Sequence, residues 1–113
     1  MTGRRVILEM GAGNDLHGGD YTKAAVRAVR DALHHSSLTF VKTLGIDPAR
    51  LAVDVTIGVR EPGRVDTDAV RRELPVGKVS VRAVPGGLDV PDETGEDRAV
   101  IASAAIEVRL PAD

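Results

Sequence analysis

The sequence has no cysteine and no tryptophan, and Tyr21 and Phe40 are its only aromatic residues. Without cysteine there is no disulfide scaffold, no thiol nucleophile and no thiolate metal site. With so few aromatics the core must come from Val, Ile, Leu and Ala, so its shape depends on close backbone packing. No apolar run approaches the roughly 18 residues of a membrane span, and the N-terminus lacks the apolar region of a signal peptide. These absences give the expectation of a cytoplasmic protein with no membrane partner. A net charge of −2 offers no general field for nucleic acid. The 113 residues suit a single domain, 1–113, with one core, small enough that self-association would add stability.

What is present alternates strand and helix patterns. Residues 4–10, "RRVILEM", read as a strand leading into a glycine-rich loop. Asp20 is a natural N-cap for the helix that follows, where Ala25, Val29, Ala32 and Leu33 mark a buried face. Ala24, Ala25, Ala28 and Ala32 keep that helix slim enough to lie close on a sheet. Arg27 and Asp31, four residues apart, are a possible ion pair. Ser36 or Ser37 is expected to cap a further helical turn in "LTFVKTL", ended by Gly45. "LAVDVTIGV", 51–59, alternates as a strand, and "VDTDAVRREL" reads as a short helix capped by Asp66 with a Val65–Val70 staple. "KVSVRAV", 78–84, and "RAVIASAAIEVRL", 98–110, complete the strands. The expected fold is therefore an α/β sandwich: a four-stranded sheet with two main helices on one face, in the order β-α-β-α-β-β.

Strand alternation puts Ala52, Asp54, Thr56 and Gly58 on the opposite sheet face, with Ala99, Ile101, Ser103, Ala105 and Glu107 beside them. This face is too small-residued for an ordinary wet surface and too polar for a deep core. A subunit interface fits it best. Five acids between Asp89 and Asp97 match no calcium loop and read as a solvated hairpin.

The chemistry centres on "MGAGNDLHGGDYTKAAVRAV", residues 10–29. Gly11-Ala12-Gly13 begins like a dinucleotide fingerprint, but Leu16 stands at the third glycine position. Gly13 and Gly18 have phosphate-loop spacing, but Gly19 and Asp20 replace the lysine and the hydroxyl residue. A glycine loop before a helix N-terminus nevertheless presents free N–H groups and a positive dipole end, suited to a carboxylate, a carbonyl oxygen or an oxyanion. The candidate ligand-binding residues are Gly11, Gly13, Asn14, Asp15, Gly18, Gly19, Asp20 and Thr22. His17 is the candidate proton carrier and Lys23 the charge-balancing group, together the candidate catalytic pair. No metal ligand set or cofactor is expected. The plainer reading is that the glycines only make turns, Asp20 only caps, and His17 is an exposed loop residue. His34 and His35 are adjacent and point about 100° apart on a helix, so they cannot share one ion. Lys78 and Ser80 share a strand face, but nothing else orients Ser80 as a nucleophile.

"MGAGNDLHGGDYTKAAVRAVRDALHHSSL", with the later "GGLDVPDETGED", resembles an uncharacterised family of small bacterial proteins. The run from Met10 through "DYTKAA" to "LAVDVTIGV" is also similar to one repeat of the ring-opening amidohydrolases, the cyanuric acid hydrolase and barbiturase family. Those enzymes place three such repeats around a pseudo-threefold axis, each offering a lysine and a serine. Asp20, Tyr21 and Thr22 match the repeat's helix entry, whereas Ala12 stands near the expected lysine and "TIGVREPG" has no serine at the matching turn. The resemblance implies the fold and a homotrimer, but not the Ser-Lys pair. Two functions are expected from these features. One is a small-molecule enzyme or binding protein for a carbonyl, imide-like or carboxylate ligand; the other is a non-catalytic structural or regulatory homo-oligomer.

Overall fold

Alternation of β-branched and polar residues makes the strands, and a slim alanine-rich helix covers them on one side. The computed structural model describes residues 3–34 and 45–111. In chain order the elements are β1 (Arg5–Asp15), α1 (Tyr21–His34), β2 (Ala52–Val59), α2 (Thr67–Arg71), β3 (Lys78–Pro85), β4 (Leu88–Pro91) and β5 (Arg98–Arg109). Single 3-10 turns occupy Pro48–Arg50 and Pro62–Arg64. The turn expected over "LTFVKTL", with its Ser36 or Ser37 cap, and His35 lie outside the described residues.

The strands lie in the order β1-β5-β2-β3, with β4 beside the start of β5. β2 and β3 are parallel and joined through α2, while the other pairs are antiparallel. Val53, Val55, Ile57 and Val59 of β2 and the even-numbered residues of β5 from Val100 to Val108 are buried. They pack against Ala24, Ala25, Ala28, Val29 and Ala32 of α1 and Val70 of α2. Asp66 caps α2, accepting from the Asp68 and Ala69 amides at 3.1 and 3.2 Å. Val70 is fully buried and Val65 packs beside the same core, as a staple requires.

Two expectations need correction. The sheet has five strands, because Leu88–Pro91, inside the segment read as a solvated hairpin, pairs with Arg98–Ile101. The Gly86-Gly87 turn allows this: Gly87 has φ +64°, and a Cβ there would collide with the Ile101 carbonyl oxygen. The second correction concerns the glycine-rich loop. β1 continues to Asp15, so Gly11 and Gly13 are strand residues. A Cβ on Gly11 would collide with the backbone of Ala28 and Ala32, and one on Gly13 with that of Ala24 and Ala28. These two glycines let α1 lie directly on the strand backbone.

β1 is an end strand of the sheet, and α1 satisfies part of its outer edge, at Ala12 and Asn14. Asp31 Oδ2 accepts from the Ala12 amide at 2.9 Å, and Arg27 Nη1 donates to the Asn14 carbonyl at 2.7 Å. Arg27 and Asp31, read from the sequence as an ion pair along the helix, thus both reach the strand. The opposite sheet face carries no covering layer from the described residues.

Candidate functional site

The turn between β1 and α1 is short, Leu16 to Asp20, and its polar groups are held by carboxylates of the chain itself. Asp15 is the buried anchor, 5% exposed. Its Oδ2 accepts from the Asp20 amide at 3.0 Å, and its Oδ1 lies 3.7 Å from Arg27 Nη1 and 3.9 Å from Lys23 Nζ. Two cations beside it and one amide bond offset the cost of burying that charge. Gly18 and Gly19 have φ +94° and +59°, which closes the turn. Asp20 caps α1 as expected, Oδ1 accepting from the Lys23 amide at 3.0 Å. Thr22 faces elsewhere and accepts from the Asp66 amide at 2.9 Å, tying the starts of α1 and α2 together.

His17 and Lys23 each face an acid. His17 Nδ1 lies 3.6 Å from Asp97 Oδ2, with the imidazole almost fully exposed, and Lys23 lies by Asp15. Asp97 also accepts from the Gly18 and Arg98 amides, each at 2.8 Å. Those amide bonds, the Gly18 bond foremost, hold its carboxyl below the usual carboxylate value. The amides of Gly18, Asp20 and Lys23 are therefore engaged by Asp97, Asp15 and Asp20. Of the residues selected from the sequence, Asp15, Gly18, Asp20 and Lys23 cluster at this turn with His17 at its rim. Gly11 and Gly13 lie under α1, and Gly19 packs against the Arg98 side chain. Among the described residues no group of three or more His, Asp and Glu side chains is placed to hold a metal ion.

Beside the turn lies a cluster that local spacing does not reveal. Tyr21, 2% exposed, directs its hydroxyl at Glu61 Oε2, at 2.8 Å, and at Asp89 Oδ2. Arg98 reaches both carboxylates, at 3.0 Å from Glu61 and 3.5 Å from Asp89. The guanidinium groups of Arg64 and Arg98 lie 5.2 and 5.3 Å from the centre of the phenol ring. Burial first, then the bonds to Asp89 and Glu61, push the Tyr21 phenol far above its ordinary value of 10.0. The same Tyr21 bond is the main cause that lowers Glu61. A phenol this hard to ionise is a fixed donor at neutral pH, not a base. Glu61 precedes α2, Asp89 is in β4 and Arg98 begins β5, so the cluster locks the start of α1 to three distant segments. Asp89 Oδ1 is buried without a partner among the described residues.

The open sheet face is the other feature with functional weight. Leu8, Met10, Leu88, Val90 and Ile101 are exposed large apolar side chains, and strand alternation and register put all five on this face. Small residues separate them: Met10 is level with Ala105, and Ala12 with Ser103. Further along, Arg109 bridges Asp54 at 3.4 Å and Glu107 at 3.3 Å, and Arg5 meets Glu107 at 3.2 Å.

Among solved structures, the chain is similar to an FtsZ-like protein of unknown function from Nostoc punctiforme PCC 73102. The two are 33% identical, with a TM-score of 0.87 over 99% of each chain. No curated protein matches the chain. A family model described as a conserved hypothetical protein matches residues 5–108. Neither description mentions a ring-opening amidohydrolase. With the family model covering nearly all of the sheet and both described helices, the chain belongs to the Lin0512 family of conserved hypothetical proteins.

Proposed function

We propose that this protein is a self-assembling subunit, a homotrimer whose open sheet face is buried between copies. The observation that carries this reading is the collection of Leu8, Met10, Leu88, Val90 and Ile101 on one uncovered face. Large apolar side chains gathered on one uncovered sheet face are a feature of interaction surfaces. The spacer residues Ala12, Gly58, Ser103 and Ala105 let a second sheet approach closely. One copy of this chain is a natural occupant, because a single 113-residue layer gains core by packing on itself. The likeness of the sequence to one unit of three-repeat ring enzymes motivates the number three. Light scattering at micromolar concentration tests the reading. A mass near three chains is expected, and a mass near one or two chains overturns the trimer.

A small-molecule site at the turn before α1 is the second reading, favoured by one observation. The Gly18 amide is already aimed at a carboxylate oxygen, that of Asp97. In this reading a carboxylate or imide-like carbonyl displaces Asp97, and His17, released from the same acid, carries protons. A thermal-shift screen with cyclic amides, ureides and small carboxylates tests it. Hits that survive His17→Ala and Lys23→Ala unchanged would sink the assignment.

A further inference from the structure

The charged half of the open face has a composition opposite to that of the whole chain. Lys78 and Arg82 on β3, Arg109 on β5 and Arg5 on β1 stand around two carboxylates, Asp54 and Glu107. The excess is positive in a chain whose net charge is −2. Asp54 and Glu107 are already shared between Arg109 and Arg5. Arg82 is different: its Nε donates to the Thr56 hydroxyl at 3.1 Å, and it meets no carboxylate among the described residues. Register brings these groups together, since Thr56 is level with Arg82 and Asp54 with Ser80. Thr56, Ser80, Arg82 and Arg109 line a shallow hollow on this face together with Asp54 and Glu107, the two carboxylates already paired with Arg109 and Arg5.

We infer that this hollow binds a small oxyanion, a phosphate or a carboxylate. Arg82 supplies the terminal guanidinium N–H groups that Thr56 does not take, Lys78 on the same face of β3 adds positive field, and the hydroxyls of Thr56 and Ser80 complete the donors. The inference goes beyond the assembly reading, which bears only on what covers the hollow. If copies pack on this face, an uncompensated Arg82 would be costly to bury, and a bound anion removes that cost.

Thermal shift with inorganic phosphate and with malonate, against sodium chloride of equal ionic strength, tests the site on the full chain. Phosphate or malonate should raise the melting temperature beyond the chloride control, and the larger shift identifies a phosphoryl or a dicarboxylate ligand. The shift should vanish in Arg82→Gln, and should shrink in Arg82→Lys, which keeps the charge but loses the fork. Equal shifts in chloride, or an undiminished shift in both variants, overturn the site. The mass measured in parallel separates the two readings. A monomer with an Arg82-dependent shift removes the assembly and supports the anion site. A three-chain mass with no anion shift removes the site and leaves the assembly.

Discussion

Tyr21 has one phenolic proton and two carboxylates competing for it, and this sets a pH dependence. The folded chain holds the proton at pH values where the unfolded chain, with a phenol near 10.0, releases it. The stability that the buried phenol brings is therefore intact below about pH 10 and declines as the pH rises through the higher folded value. Melting temperature should fall above about pH 10, and Tyr21→Phe, with no proton to lose, should follow a flatter curve there. Parallel curves for the two proteins would show that the phenol adds nothing. At the acid end the sign reverses. Glu61 is lowered by its Tyr21 bond, so its contribution is present above its ordinary 4.5 and disappears as the pH falls through its folded value.

At the scale of elements, the contact between β1 and α1 decides most of the architecture. Gly11 and Gly13, two apart on a strand, meet Ala24, Ala28 and Ala32, four apart on a helix. The Gly13→Ala variant puts a methyl group against helix backbone that cannot rotate away. It should lose about 1–3 kcal/mol, as overpacked cores do. Urea unfolding measures this, and a loss within about 0.5 kcal/mol, the range of innocuous surface changes, would mean that the helix slides freely on the strand. This contact was half legible. The alanine ladder announced a close-lying helix, but glycine in a strand looks like a turn, so its partner strand was cut short at Met10. β2, β3, β5, the Asp20 cap and the Asp66 cap were legible because alternation and capping act over a few residues. The four residues of β4 were not, because they form a strand only by pairing with β5. Nor was the Tyr21 cluster: Glu61 lies 40 residues away in sequence and Asp89 lies 68 away, so no spacing relates them.

For the whole molecule, the two sheet faces divide the work. One is closed by α1 and α2, and the other holds the exposed apolar side chains that the assembly reading buries. Ala105 is the natural place to interrogate that face, because it points outward opposite Met10 and Thr56 and supports nothing in the core. The Ala105→Glu variant should fold, with an unchanged far-UV spectrum, and scatter light as a smaller species. Retention of the native mass would place the interface elsewhere. The partly covered edge of β1 then limits how copies of this chain can grow. Polymerisation by strand addition needs a free edge on both sides of every unit, and Arg27 and Asp31 occupy one of them. Joining through the remaining edge alone would stop at a pair. Two side chains of one helix thus blunt the edge at Ala12 and Asn14 against strand addition, and on the assembly reading copies meet through the face and not through this edge.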